Sequence, residues 1–132
     1  MPQMFTPQER QAKHKTVLLI EDDASIGTSI VQAIVEETPY QAFFVTDSLD
    51  ALQALQDFKP DLLVIDYRLP HMNGFDLYDS IHTQKNLADI PTIIMSAELP
   101  EQEVERRHLI GLHKPFDLDD LFSALHMLLS QK

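Results

Sequence analysis

The segment VIDYRLPHMNG (residues 64–74) decides the fold, because in it an apolar run ends on a carboxylate. Residues 62–65 have the continuous apolar character of a strand that is buried on both faces. Asp66 follows directly, and Pro70 and Gly74 then mark a loop before the next helix. The strand would therefore deliver the carboxylate of Asp66 to one edge of a sheet.

Short apolar runs alternate with amphipathic stretches along the rest of the chain. The other strands are predicted at 16–20, 41–45, 92–95 and 109–113, and the helices at 25–37, 48–58, 74–85, 101–108 and from 117 onward. Such alternation over short connections is typical of a parallel sheet that is covered on both faces. Right-handed crossovers then give a doubly wound sheet. We predict an α/β fold with a doubly wound, five-stranded parallel sheet, in which the fourth helix is short.

The spacing of apolar residues indicates which side of each helix faces the sheet. The expected inward residues are Ile26, Ile30, Ala33 and Ile34 in the first helix, Leu49, Leu52 and Leu55 in the second, and Leu118, Leu121, Phe122, Leu125, Leu128 and Leu129 in the last. Ser48 and Asp117 are the expected N-caps of the second and last helices.

Composition favours one compact domain without a membrane segment. Hydrophobic residues make up 44% of the 132 residues, and we place the domain at 16–131 after a polar tail at 1–15. The absence of cysteine excludes disulfides and thiolate metal sites and fits a cytoplasmic location. The net charge of −11 argues against direct binding to nucleic acid. The apolar runs are too short to span a bilayer, and the N-terminus has no signal-peptide core.

Polar residues follow four of the five predicted strands. Ligands of doubly wound sheets bind beyond the carboxyl ends of the strands. The acidic run 21–23, Asp66, Ser96 and Lys114 stand at such ends, whereas Asp47 has no evident place among them. Carboxylates at short range repel one another and favour a bound cation, and oxygen ligands with water suit Mg²⁺. A cation and a lysine beside Asp66 would accommodate a phosphoryl group, with Asp66 as the nucleophile.

These motifs resemble the receiver domain of two-component response regulators. The resemblance is carried by EDD at 21–23, IDYRLPHMNG at 65–74, MSA at 95–97 and HKPF at 113–116, and it covers 16 to about 130. It implies the flavodoxin-like receiver fold and a stand-alone protein similar to chemotaxis regulators. The implied partners are a histidine kinase or a histidine phosphotransfer protein, and a downstream protein effector. No enzymatic activity is implied beyond self-phosphotransfer and autodephosphorylation.

The resemblance also implies a role for each matching residue. Asp66 would be the phosphoacceptor. Mg²⁺ would be held directly by Asp23, through water by Asp22, and by Asp66 and the backbone carbonyl of Arg68. The remaining matches would serve the phosphoryl group: Ser96 as a hydrogen-bond donor that shifts, Ala97 as a small neighbour, Lys114 as a counter-charge, and Pro115 after a cis peptide bond.

One departure from the family pattern keeps other functions open. Gly111 stands where the family commonly has an aromatic switch residue, so an aromatic readout through this position cannot operate. A receiver-fold module that acts without phosphorylation is therefore the alternative. A Mg²⁺-dependent phosphatase would require a second Asp at the position that Arg68 occupies, which argues against that function. A flavin or nucleotide binder would want a Gly-rich or Ser/Thr-rich loop in place of the acidic run 21–23.

Overall fold

The computed structural model describes residues 15–130. The predicted tail lies outside the described residues except for Lys15, and so does the last residue of the predicted domain. Within the described range, every helix is too short or too polar to cross a bilayer.

Five strands alternate with five α-helices along the described chain. They are β1 (Thr16–Ile20), α1 (Ala24–Glu37), β2 (Gln41–Val45), α2 (Ser48–Asp57), β3 (Leu62–Asp66), α3 (Gly74–His82), β4 (Thr92–Ser96), α4 (Glu101–Arg106), β5 (Ile110–His113) and α5 (Leu118–Leu129). α3 ends at His82, before the predicted end at about residue 85, and a short 3-10 turn follows at Lys85–Leu87. The six residues of α4 confirm that the fourth helix is short.

The strands form one parallel sheet in the order β2-β1-β3-β4-β5. This order confirms the predicted doubly wound fold. The chain goes from β1 outward to β2 and then crosses back to β3 on the other side of β1. The strand order thus reverses between β1 and β3, and the carboxyl ends of these two strands form the crevice where ligands of such sheets bind.

Side chains of the central strands fill two cores, one on each face of the sheet. Val17, Leu19, Val64, Ile93 and Met95 pack with α1 and α5, whereas Leu18, Ile20, Leu63, Ile65 and Ile94 pack with α2 and α3. Burial on both faces explains why these strands are continuous apolar runs in the sequence. It also holds the residues at their carboxyl ends in fixed positions.

Three residues that the helical periodicity placed inward are exposed instead. Ile26, Leu49 and Leu118 are 41%, 63% and 43% exposed. Each lies in the first turn of its helix, above the carboxyl edge of the sheet, where strand side chains no longer cover it. The inward placement was therefore wrong for these three residues.

The N-caps differ from the prediction at α2. The carboxylate of Asp47 accepts a hydrogen bond from the backbone nitrogen of Asp50 at 2.7 Å. Asp47 is therefore the N-cap, and Ser48 is the first helical residue, buried with no hydrogen-bond partner for its hydroxyl. Asp117 is the N-cap of α5 as predicted, although its side chain makes no capping hydrogen bond.

Replacing His108 with glycine should stabilise the fold by about 0.5–1 kcal/mol. His108 follows α4 with φ at 56°, a left-handed conformation that strains any residue with a Cβ. The adjoining backbone already closes the helix end, because the backbone nitrogen of Leu109 donates to the carbonyl of Val104 at 3.0 Å. Urea unfolding of His108→Gly would measure the gain. His82→Gly, in the last turn of α3, is the control and should lose stability. A loss in both variants would contradict the assignment.

Candidate functional site

The carboxyl ends of β1, β3 and β5 bring three charged side chains together. Asp66 is the last residue of β3, Glu21 directly follows β1, and Lys114 directly follows β5. The Lys114 Nζ lies 3.3 Å from Asp66 Oδ2 and 3.5 Å from Glu21 Oε1. The backbone nitrogen of Lys114 donates to the carbonyl of Ser96 at 2.8 Å, which fixes the start of the side chain. One ammonium therefore bridges two carboxylates from different strands.

Asp22 completes an acidic group with Glu21 and Asp66. Each residue offers a carboxylate oxygen, and these oxygens lie within 4.8 Å of one another. Glu21 and Asp66 are buried and Asp22 is exposed, so the group opens to solvent on one side. With all three carboxylates ionised, Lys114 offsets only one of the negative charges. The remaining charge equals that of one divalent cation, and this donor set can hold such an ion.

Glu21 is the least satisfied member of this group. It is only 1% exposed, and its Oε2 accepts a hydrogen bond from the backbone nitrogen of Asp23 at 3.2 Å. Its Oε1 makes no hydrogen bond within the described residues, although the Lys114 ammonium lies 3.5 Å away. Burial raises the pKa of Glu21 to about 7, and the neighbouring carboxylate of Asp66 adds to the increase. A proton or a cation at Oε1 would relieve this buried charge.

Glu21→Gln should remove a pH-dependent loss of stability in the metal-free protein. The pKa of Glu21 is raised from 4.5 to about 7 on folding. Its stabilising effect is complete below the unfolded pKa and is lost as pH rises through the folded pKa, a loss on the order of 3 kcal/mol. The difference in unfolding free energy between variant and wild type should therefore grow from pH 4.5 to pH 7.

Urea unfolding in a chelator across this pH range would measure that difference. Glu101→Gln, which changes an exposed glutamate at the start of α4, is the matched control and should leave the pH profile unchanged. A constant offset between Glu21→Gln and wild type would contradict the burial argument. Added Mg²⁺ should reduce the difference, because a bound ion stabilises the ionised folded form.

Asp23 does not join the acidic group, although the resemblance implied that it binds the metal directly. Its Oδ1 accepts a hydrogen bond from the backbone nitrogen of Ile26 at 3.1 Å, so Asp23 is the N-cap of α1. Glu21, which the predicted ligand set left out, takes its place beside Asp66. An aspartate immediately before a helical pattern is an N-cap signal. This signal could have shown that Asp23 caps the helix and does not bind the metal.

The other predicted site residues lie at the carboxyl ends of β4 and β5. Ser96 ends β4 and is buried, but its hydroxyl hydrogen-bonds to the backbone of Glu98. Ala97 follows it and is exposed, and the peptide bond between Lys114 and Pro115 is cis, as the resemblance implied.

Arg68 contacts the site through its backbone. Its backbone nitrogen donates to Asp66 Oδ1 at 3.3 Å. Its guanidinium reaches outward and lies 3.6 Å from a carboxylate oxygen of Glu98, with both side chains exposed. Glu98 was not singled out from the sequence, because nothing local shows that it meets Arg68.

Gly74 allows α3 to begin directly against the end of β3. Its backbone nitrogen donates to the carbonyl of Tyr67 at 2.7 Å. A Cβ at this position would lie 2.8 Å from the backbone oxygen of Asp66 and 2.6 Å from Ile94 Cδ1. Asn73 caps the helix by accepting from the backbone nitrogen of Asp76 at 2.9 Å. The loop from Asp66 to Gly74 thus connects β3 to α3 with the start of the helix packed directly against the end of the strand.

Comparison with known proteins finds relatives that are similar in sequence and in fold. The chain is 32% identical over 127 residues to a probable transcriptional regulatory protein of Picosynechococcus, covering 88% of this chain and 49% of that protein. It is 28% identical to the sensor histidine kinase TmoS of Ectopseudomonas mendocina, covering 100% of this chain and 13% of the kinase. The chemotaxis response regulator CheY4 of Vibrio cholerae superposes with a TM-score of 0.79 at 26% identity, covering 87% of this chain and 98% of that one.

The chain spans about half the length of the first two curated relatives that it matches. The family model described as the response regulator receiver domain matches residues 17–126, most of the chain. The acidic group and Lys114 lie at the crevice of the same fold. The chain therefore belongs to the response regulator receiver domain family.

Proposed function

We propose that this chain is a phosphoacceptor of a two-component or phosphorelay system. Asp66 takes a phosphoryl group from a histidine kinase or a histidine phosphotransfer protein, and the change alters binding to a downstream protein effector. The observation that carries the proposal is the buried Asp66 carboxylate, held 3.3 Å from Lys114 Nζ within an acidic group that can hold a divalent cation.

The chemistry expected of Asp66 is a single displacement at phosphorus. A carboxylate oxygen of Asp66 forms the new bond to phosphorus, and the bond from phosphorus to the donor atom breaks. Lys114 stands where it can pair with the incoming negative charge. The backbone nitrogen of Arg68 donates to Oδ1 at 3.3 Å, which helps to hold the carboxylate in position.

Mg²⁺ is the cofactor that this donor set suits, because all its ligands are oxygens and its net charge is negative. Asp22, Asp66 and Glu21 would hold the ion, with the backbone carbonyl of Arg68 kept as a further ligand implied by the resemblance. The ion, when bound, would neutralise charge on the phosphoryl oxygens. Asp23 is omitted from the proposed set, because its carboxylate caps α1.

This function is signalling and not turnover of external substrates. The expected reactions are self-phosphotransfer and autodephosphorylation. Turnover of external substrates would require a second catalytic aspartate, and Arg68 occupies that position. Direct contact with nucleic acid or membrane is not part of the proposal, since the net charge is −11. A cytoplasmic location stays a prediction.

Intact-protein mass after incubation with acetyl phosphate tests the proposal. One phosphoryl group per chain is expected with Mg²⁺ and none in a chelator.

The alternative is an interaction module that works without phosphate, and one observation favours it: the Ser96 hydroxyl is already paired with the backbone of Glu98. Absence of the adduct in folded, Mg²⁺-bound protein would support that alternative and contradict the phosphoacceptor function.

A further inference from the structure

The hydroxyl of Ser96 holds a tight turn after β4. Its Oγ donates to the backbone oxygen of Glu98 at 2.9 Å and accepts from the backbone nitrogen of Glu98 at 3.1 Å. A serine hydroxyl has only one proton to donate. It therefore cannot hold the Glu98 carbonyl and donate to a phosphoryl oxygen on Asp66 at the same time.

The next residue, Leu99, packs on the bare backbone of Gly111 in β5. A Cβ at Gly111 would lie 2.8 Å from Leu99 Cδ1 and 3.6 Å from Val104 Cγ1. Leu99 thus takes the space that a side chain at 111 would occupy. The contact forms part of a surface cleft of ≈ 260 Å³, which is also lined by Glu101, Glu105 and His113.

The two ends of α4 are anchored differently. Arg107, just after α4, donates to both carboxylate oxygens of Asp79 in α3, at 2.9 and 2.8 Å. Its guanidinium also lies 4.7 Å from the centre of the Phe75 ring. At the other end, Pro100 is the N-cap and supplies no side-chain hydrogen bond. A displacement of the Ser96–Glu98 turn would therefore move the N-terminal end of α4, while Arg107 holds the C-terminal end.

We propose that Leu99 reports the phosphorylation state of this chain, in place of an aromatic side chain on β5. The inference rests on the proposed function, since its trigger is a phosphoryl group on Asp66. A charge-assisted hydrogen bond from Ser96 to a phosphoryl oxygen is stronger than the neutral one to Glu98. The Ser96 hydroxyl therefore releases Glu98, and the turn moves. Leu99 then moves away from Gly111, and the cleft between α4 and β5 opens where Gly111 lines it.

Methyl-labelled NMR of the full chain tests this inference. In the unphosphorylated protein, the Leu99 methyl groups should show a cross-relaxation peak to the Gly111 α-protons. Excess acetyl phosphate with Mg²⁺ should remove this peak and shift the Leu99 methyl signals. The Leu128 methyls, in the core on the opposite face, and the Arg107 Nε–H signal are internal references that should stay in place.

Intact mass, measured on the same sample, separates the two proposals. A phosphoryl adduct with an unchanged Leu99–Gly111 peak would overturn the role of Leu99 and leave the proposed function standing. Absence of the adduct would remove the trigger and overturn both.

A second variant tests the contact without phosphate. Gly111→Ala places a methyl group against the flexible end of Leu99, so the Leu99 signals should move toward their positions in the phosphorylated wild type. Leu99 signals that stay at their unphosphorylated positions in a folded variant would also overturn the inference.

Discussion

Asp66→Asn should abolish phosphate incorporation from acetyl phosphate while the protein stays folded. The amide has the shape of the carboxylate but lacks its negative charge, so it is not a nucleophile toward phosphorus. Its side-chain oxygen can still accept the hydrogen bond that Arg68 donates to Oδ1. The substitution also removes repulsion with Glu21, so the free energy of unfolding should not fall. Intact mass should show the adduct in wild type and none in the variant.

Two further aspartate variants make this result specific. Asp47→Asn is the matched control: Asp47 caps α2 and is not a member of the acidic group, asparagine caps a helix equally well, and labelling should be unchanged. Asp22→Asn keeps the nucleophile but weakens the metal site, so its labelling should recover at higher Mg²⁺ concentration. Equal labelling of Asp66→Asn and wild type would place the acceptor elsewhere in the chain.

The central strands could be predicted from the sequence because a strand that is buried on both faces is apolar at successive positions. The run at residues 62–65 has no polar position, and β3 lies between β1 and β4 with helices on both sides. An edge strand carries a weaker signal. β5 pairs on one side only, and its predicted start at residue 109 is one residue early.

The sequence did not predict correctly which residues of the acidic run 21–23 join Asp66. The prediction brought carboxylates to the end of β1, and the structure places two of the three with Asp66. Which two depends on the residue at which α1 begins, because the residue just before the helix turns its carboxylate toward the free backbone N–H groups. If α1 began one residue later, Asp23 would no longer be the N-cap, and its carboxylate would be free to join the group.

Contacts between residues that are far apart in the sequence could not be predicted from local residue spacing. Helical spacing is consistent with Arg107 pairing with Glu103, and the structure shows this pair. The pairing of Arg107 with Asp79 depends instead on how α4 lies against α3. The packing of Leu99 on Gly111 has the same origin, because the sequence shows a missing side chain but not what fills its place.

Gly74→Ala should destabilise the protein by about 1–3 kcal/mol and slow phosphorylation. The new methyl group would meet the backbone oxygen of Asp66 at 2.8 Å and Ile94 Cδ1 at 2.6 Å. Backbone at the end of a fully buried strand cannot move aside as a flexible side chain can. Relief requires α3 to retreat from β3, which strains the hydrogen bond from Gly74 to Tyr67 and displaces the Asp66 carboxylate.

For the change in stability, Gly111→Ala is the matched control, because the three atoms nearest to the new methyl group belong to the side chains of Leu99 and Val104 and not to the backbone. Its effect on the free energy of unfolding should stay within about 1 kcal/mol, since alanine also restricts the unfolded chain. Urea unfolding and the initial rate of acetyl phosphate labelling measure both consequences. Equal stabilities for the two variants would show that α3 does not depend on its close approach to Asp66. A stability loss in Gly74→Ala with an unchanged labelling rate would show that the helix start matters for folding but not for the position of the carboxylate.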